Sequence, residues 1–493
     1  MHKTQVIVTS KQLILLACIF IIAIAIRILN LDATALWCDE KFSVREAHGF
    51  VLQAANTVFD SNQFAIFNTS NNVLKANIAL DGGNGIFYTM QLHFWCLLFG
   101  STDTAVRMLS ALYGIALVFS VYYIAKKVFK VPAIALLICG VVALNPLLVT
   151  YSREARPYAA ATFYILWSSY FLFLNFFSHQ PNAKPVWHHL LFYILTSVAA
   201  LLCHYLTAYI LVAQGLMVAL YVRKRIRLFY FFATSLLVAL ALIGWMFLGG
   251  YEGLEVMKNH NLDYRKMLDK NNQFVQPATV LNSLKGVVQF LLPALGNSLQ
   301  KTGLHLREIV LLSLLPVYLI YQALSKSSKG TRKFLYFSAL CLVIAVAFVS
   351  SLAINAGHTI SYQPHYANFL AVHVSFAIGA GGMFVWWQHK NVILYRSIVM
   401  GYFLISAAAL WHYFANPLHV FKPNVPNPYV FVADKILETQ KTDTIFFPNI
   451  TDAQLSYLSL KPETRFFGVD TNSNHIYVNH SSRTILDITD VRY

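Results

Sequence analysis

Gln12-Leu-Ile-Leu-Leu-Ala-Cys-Ile-Phe-Ile-Ile-Ala-Ile-Ala-Ile26 lies between Lys11 and Arg27, and nothing polar interrupts it after Gln12. A bilayer core asks for about 20 apolar residues of helix, and this run with its flanks meets that length. It passes directly into Arg27-Ile-Leu-Asn-Leu-Asp32 with no small-residue cleavage site, so it reads as a retained first membrane helix entering from the side of Lys3 and Lys11. Further apolar runs fall near 106–125, 132–150, 158–177, 189–207, 208–222, 228–248, 307–324, 334–353, 367–388 and 392–414. Every second junction is basic: Lys126-Lys127-Val-Phe-Lys130, Arg223-Lys224-Arg225-Ile-Arg227, Lys326 to Lys333, and His389-Lys390. Lys and Arg gather on cytoplasmic loops, which puts these junctions inside and the loops 151–157 and 354–366 outside. The expected fold is a polytopic α-helical membrane protein of about eleven spans, with its C-terminus outside.

Composition closes the other routes. A chain of 493 residues would suggest about three soluble domains, but 57% of it is hydrophobic and only 12% charged, against about 25% in an average soluble domain. Disorder would need low hydrophobicity. The net charge of +16 would point to nucleic acid in a soluble protein; in a membrane protein its first explanation is orientation, so lipid and not nucleic acid is the expected surround. Of the six cysteines, Cys18, Cys139, Cys203 and Cys341 lie inside apolar runs, and pairing is open only to Cys38 and Cys96 in an external region. The absence of Cys-x-x-C argues against a zinc or redox motif.

Three external regions stand out. The first, 31–105, is too long for a turn and holds two helical patterns: an amphipathic one from Lys41 to Phe59, and an apolar one from Ile86 to Gly100, short enough to lie in the interface. The second, 249–306, carries the apolar stretch Val287 to Leu295. The third follows residue 415, where Pro417, Pro423, Pro426 and Pro428 form a linker. Beyond it, Tyr429 to Thr439 and Asp452 to Leu460 read as helices and Thr444-Ile-Phe-Phe447 as a strand, together a small external α/β domain. The expected division is a membrane domain over 1–415 and this appendage over 416–493.

Charge is scarce on the external side, so the charges found there are the candidates for chemistry. Asp39-Glu40 follows the first span within Leu36-Trp-Cys-Asp-Glu-Lys-Phe-Ser43. The pair reads either as a solvated loop beside an interfacial Trp37 or as a general base, since an Asp is already ionised at neutral pH. Tyr151-Ser-Arg-Glu-Ala-Arg-Pro-Tyr158 sets Arg153, Glu154 and Arg156 at a membrane boundary. They form an internal salt bridge, or a guanidinium fork grips a phosphate. Arg107, at the external start of a span, either pairs with a carboxylate or binds an anion. His204-Tyr205, and Tyr362 with His365, complete the same face. No His-Glu-x-x-His or comparable metal signature is present, and no metal ligand is assigned.

Taken in order, Ala25-Ile-Arg-Ile-Leu-Asn-Leu31, Leu36-Trp-Cys-Asp-Glu40, Leu98-Phe-Gly-Ser101, Ala105-Val-Arg-Met-Leu-Ser-Ala-Leu-Tyr-Gly114, Tyr122-Tyr-Ile-Ala-Lys-Lys-Val-Phe129, Leu144-Asn-Pro-Leu-Leu148 and Tyr151-Ser-Arg-Glu-Ala-Arg-Pro-Tyr158 resemble the GT-C membrane glycosyltransferases. The branch is that of the protein O-mannosyltransferases and the bacterial lipid A aminoarabinose transferase. Later the likeness thins to His204-Tyr205 and Tyr362-Gln-Pro-His-Tyr366. The resemblance implies a GT-C fold with interfacial helices in the first external loop and a sugar donor carried on a polyprenyl phosphate. It also implies a hydroxyl acceptor on protein, lipid A or glycan, and an active site on the external, periplasmic face of a bacterial inner membrane. It makes Asp39 the catalytic base with Glu40 in support, has Glu154 and Arg156 orient acceptor or donor, and has Arg107 contact phosphate or brace the loop. With Arg153, Tyr158, His204, Tyr205, Tyr362 and His365 these are the expected substrate-binding residues. No cofactor is implied, although members differ in their use of a divalent metal. Two departures are plain: Asp81-Gly-Gly-Asn-Gly85 stands where relatives carry a Pro-rich run, and His365 where many carry Arg. The rival reading is a lipid-linked saccharide transporter or polymerase, which would be expected to bury charge along several spans; here most spans are free of it.

Overall fold

The structure is a computed structural model that describes residues 9–34, 36–49, 59–60, 70–177, 185–268, 276–295, 306–388, 391–415 and four short strands between 444 and 487. In chain order the helices are α1 (Ser10–Ile28), α2 (Cys38–Ala47), α3 (Ser70–Asp81), α4 (Ile86–Phe99), α5 (Asp103–Phe129), α6 (Pro132–Ala143), α7 (Pro146–Ser152), α8 (Tyr158–Phe176), α9 (Trp187–Cys203), α10 (Ala208–Tyr221), α11 (Arg225–Trp245), α12 (Tyr251–Leu268), α13 (Val280–Ala294), α14 (Leu306–Lys326), α15 (Lys329–Ala356), α16 (Asn368–Trp386) and α17 (Val392–Ala415). Among the described residues, seven helices are long and apolar enough to cross a membrane, and the pair α6–α7, bent by 58°, makes up to eight. The chain is therefore a multi-pass membrane protein. The runs read as spans at 189–207 and 208–222 are shorter apolar helices, of 17 and 14 residues, so length and composition alone stop short of eleven.

Local chemistry explains where the helices break. The apolar run 132–150 bends because Asn145 and Pro146 start a new helix: the Asn145 side chain accepts the Leu148 N–H at 3.1 Å, and Pro146 has no N–H to offer the helix before it. The carbonyls freed at the end of α6 need donors in an apolar surround. Arg27, buried on α1, supplies them, reaching Ala143 O at 3.2 Å and Val142 O at 3.5 Å. The core centres on α16, whose glycines admit close neighbours: a Cβ on Gly381 would lie 1.7 Å from Leu319 O of α14, and one on Gly379 2.6 Å from Ile138 Cα of α6.

The region 31–105, read as external, departs from its reading. Its first helix starts at Cys38, three residues earlier than Lys41, and ends at Ala47. A further helix, α3, precedes α4 and was not visible in the periodicity. The helix read over 86–100 is α4. In the second external region α11 runs on through a π-helical turn, Met246–Gly250, into α12, and α13 contains the apolar stretch at Val287. In the tail the strand read at Thr444–Phe447 is present. It joins Arg465–Gly468, His475–Val478 and Thr484–Asp487 in one sheet, to which Phe59–Asp60 of the first external region adds an edge, antiparallel to Arg465–Gly468. The two helices expected in the tail lie outside the described residues.

Candidate active site

The site assembles at one end of the bundle, where α1 ends, α5 and α8 begin, and the loop 153–157 crosses between them. Helix α2 brings Asp39 and Glu40 there in its first turn, where carboxylates are favoured by the exposed backbone N–H groups. Glu40 is 1% exposed and fully engaged. Its Oε1 accepts from Arg107 Nε at 2.8 Å and from the Ala155 N–H at 2.8 Å; its Oε2 accepts from Arg107 Nη2 at 2.8 Å and from the Trp37 N–H at 3.2 Å. Arg107 spends its remaining Nη1 donors on Leu31 O at 2.5 Å and Thr34 O at 2.7 Å. One carboxylate and one guanidinium thus bolt α2 to α5, to the chain leaving α1, and to the loop 153–157.

Arg153 is a second bolt. Its Nη1 donates to Ile26 O at 3.0 Å and Leu29 O at 2.8 Å, and its Nη2 to Asn30 O at 2.8 Å, so it caps the end of α1. Burial pushes its pKa down from the ordinary arginine value. What the geometry shows for Arg107 and Arg153 is bracing, with the forks turned to backbone carbonyls and to Glu40. Tyr205 braces too: its hydroxyl donates to Gly83 O at 2.9 Å and accepts from Trp245 Nε1 at 2.7 Å. The Tyr362 ring packs against Gly286 of α13.

Arg156 differs. Its Nη1 donates to Ser43 Oγ at 3.0 Å and Asp39 O at 3.2 Å, and its Nη2 pairs with Asp81 Oδ2 at 3.2 Å. Its guanidinium stands 5.7 Å from the Tyr158 ring centre. Burial works to lower its pKa, yet Tyr158, Asp81, Asp39 and Glu46 together hold it above the ordinary value. The Tyr158 ring lies 4.9 Å from that of His365 and 5.6 Å from that of His204. Asp39, half-buried beside this group, receives no ion pair among the described residues, unlike Glu40 and Asp81. Glu154 is buried in the same loop. The structure therefore brings Asp39, Arg156, Tyr158, His204 and His365 together around a partly open carboxylate. No group of three or more His, Cys, Asp or Glu side chains among the described residues is arranged to hold a metal ion.

Three contributors escaped the reading of the residues. Ser43 and Glu46 lie four and seven residues after Asp39, on one face of α2, a spacing that starting the helix at Cys38 makes legible. Asp81, noted only as a departure from a Pro-rich run, is the ion-pair partner of Arg156.

The comparisons follow this geometry. The family model of dolichyl-phosphate-mannose-protein mannosyltransferases matches residues 85–247, less than half of the chain. The crystal structure of ArnT from Cupriavidus metallidurans in the apo state is 12% identical, covering 92% of this chain and 86% of that one, with a TM-score of 0.55. The chain has the GT-C fold. ArnT bound to undecaprenyl phosphate gives a TM-score of 0.51 at 13% identity, over 93% of this GT-C chain and 86% of ArnT. Archaeal oligosaccharyltransferase AglB from Archaeoglobus fulgidus, in complex with an inhibitory peptide and a dolichol-phosphate, is 12% identical over 92% of this chain, with a TM-score of 0.47. The GT-C chain spans only 60% of the length of AglB. No curated protein sequence matches it.

Proposed function

We propose that the protein is an inverting glycosyltransferase that moves a sugar from a polyprenyl-phosphate donor to a hydroxyl on protein, lipid A or glycan, at the periplasmic face of a bacterial inner membrane. The observation that carries this reading is the setting of Asp39: a carboxylate that receives no ion pair among the described residues, while its neighbour Glu40 is consumed in holding the helix that presents it. The match to the dolichyl-phosphate-mannose-protein mannosyltransferase family over 85–247 and the GT-C fold support the donor class.

In this reading Asp39 takes the proton from the acceptor hydroxyl as its oxygen attacks the anomeric carbon. The bond from that carbon to the phosphate oxygen breaks, and polyprenyl phosphate leaves with the electron pair. Arg156, hydrogen-bonded to the Asp39 carbonyl, meets the negative charge that develops on the leaving phosphate, with Tyr158, His204 and His365 around it. Glu40, Arg107 and Arg153 hold the frame, and Glu154 sets the loop. Residues 1–415 form the catalytic unit and 416–493 a small external domain, to whose sheet Phe59–Asp60 of the catalytic unit adds an edge; the change from helices before 415 to strands beyond 444 supports that boundary.

The test is incubation of purified protein with labelled polyprenyl-phosphate sugars, dolichyl-phosphate mannose among them, while measuring release of lipid phosphate. Asp39→Asn is expected to lose about 10²–10⁴-fold in turnover with the fold intact. Full activity in that variant would refute the role of Asp39, and absence of release by the wild-type protein from every donor would refute the function.

A further inference from the structure

Glu46 lies on the face of α2 that carries Asp39 and Ser43, and it is 1% exposed. Its Oε2 accepts from Asn77 Nδ2 of α3 at 2.8 Å and from Thr89 Oγ1 of α4 at 3.1 Å. Asn77 Nδ2 also reaches Asn84 O at 2.9 Å, in the turn between α3 and α4. Three helices and one turn therefore converge on a single carboxyl. No Lys or Arg pairs with it among the described residues, and its Oε1 is buried without a hydrogen-bond partner. A carboxylate in that position would be an uncompensated buried charge, which proteins avoid by protonating the group.

We infer that Glu46 works as a neutral carboxylic acid, a positioning residue that fastens the Asp39 helix to α3 and α4 while leaving Arg156 undivided between Asp81 and the Asp39 end of that helix. The inference rests on the function proposed above for its bearing on catalysis, although its structural half does not.

The charges around Glu46 make the neutral form matter. From α3, Asp81 faces it and disfavours a second negative charge; from the loop 153–157, Arg156 favours one. From α4 come the Thr89 hydroxyl and His93, whose ring Nδ1 lies 2.8 Å from Ala47 O. On α2 itself Asp39, Arg45 and His48 are its charged or titratable neighbours, and His260 of α12 acts on Asp81. Burial, followed by Asp81, pushes the Glu46 carboxyl up to about 8. Three carboxyls, Asp39, Glu46 and Asp81, thus lie within electrostatic reach of one guanidinium, which pairs with Asp81. Were Glu46 to ionise, it would compete for Arg156 and draw it off Ser43 and the Asp39 carbonyl.

The full chain in detergent provides two independent measurements. Infrared difference spectroscopy between the wild type and Glu46→Gln, which keeps an oxygen acceptor for Asn77 and Thr89, should show at pH 7 a protonated-carboxyl band that the variant lacks. In the wild type alone that band should titrate away with a midpoint about pH 8. Its absence at pH 7 would overturn the inference whatever the donor. Turnover with whichever polyprenyl-phosphate sugar proves active, normalised to each protein's own rate at pH 7, should fall in the wild type to about half near pH 8 and about tenfold per unit beyond, as for one ionisation to an inactive form. The same profile for Glu46→Gln should stay flat across that range. An unchanged alkaline fall in the variant would refute the positioning role, whereas failure of every donor would count against the proposed function and leave the spectroscopic result standing.

Discussion

Replacing Arg107 by Met tests whether this guanidinium is a brace or an anion site. The substitution keeps much of the apolar stem but removes, among the described residues, two hydrogen bonds to Glu40, one to Leu31 O and one to Thr34 O. Glu40 is then left buried and charged without its ion-pair partner, keeping the Ala155 and Trp37 N–H groups. Removing one partner of a buried ion pair costs about 3–5 kcal/mol. Glu40→Gln added to Arg107→Met takes away the stranded charge, so the double variant should be more stable than the sum of the two single losses predicts, by at least about 2 kcal/mol. Equilibrium denaturation in mixed micelles, with thermal midpoints as a check, measures all four corners of the cycle. A loss below about 1 kcal/mol for Arg107→Met, or strict additivity, would refute the brace. So would a variant of normal stability that binds undecaprenyl phosphate poorly, because that pattern belongs to a phosphate ligand.

Arg153→Gln should lower the thermal midpoint by uncapping α1 while leaving undecaprenyl phosphate affinity within about twofold, a binding measurement separating this from a phosphate grip. Gly253→Ala puts a Cβ 2.2 Å from Gly82 O, where α12 passes over the turn joining α3 and α4; overpacking of this kind costs about 1–3 kcal/mol, read as a lower thermal midpoint. Stability should also depend on pH through Glu46. Its carboxyl is raised from 4.5 to about 8 in the fold, so the unfolded chain gives up the proton first. Stability therefore falls as pH rises from about 4.5 to about 8, by as much as about 1.4 kcal/mol per unit, and levels off above. Glu46→Gln should remove that slope from a pH series of denaturation midpoints.

Seven or eight of the eleven expected spans were legible because lipid leaves an apolar helix so little choice of sequence. Charge pattern also pointed to the candidate site: Arg107 stands about 30 Å along α5 from Lys126, and Glu40, Arg107, Arg153 and Arg156 gather at one end of the bundle. Their roles were harder to read. Whether a guanidinium faces a phosphate or a carbonyl depends on which backbone groups a bent helix leaves unmet, and the bend at Asn145 or the open end of α1 is a three-dimensional fact. Glu46 was hidden for a different reason. Beginning the helix at Lys41 placed Asp39 in a loop and broke the register linking it to Ser43 and Glu46. Asp81 has no signal without Arg156 opposite it.

The short edge strand at Phe59–Asp60 has a consequence for timing. Its partner, Arg465–Gly468, is synthesised after every membrane helix described above. During insertion the Asp39 loop can fold its own helices early, but one side of that loop stays untied until the sheet is complete. Contacts so distant in sequence form slowly, because loop closure precedes any reward. A chain truncated before residue 465 would therefore place every membrane helix and still lack the last fastening on the loop that bears Asp39.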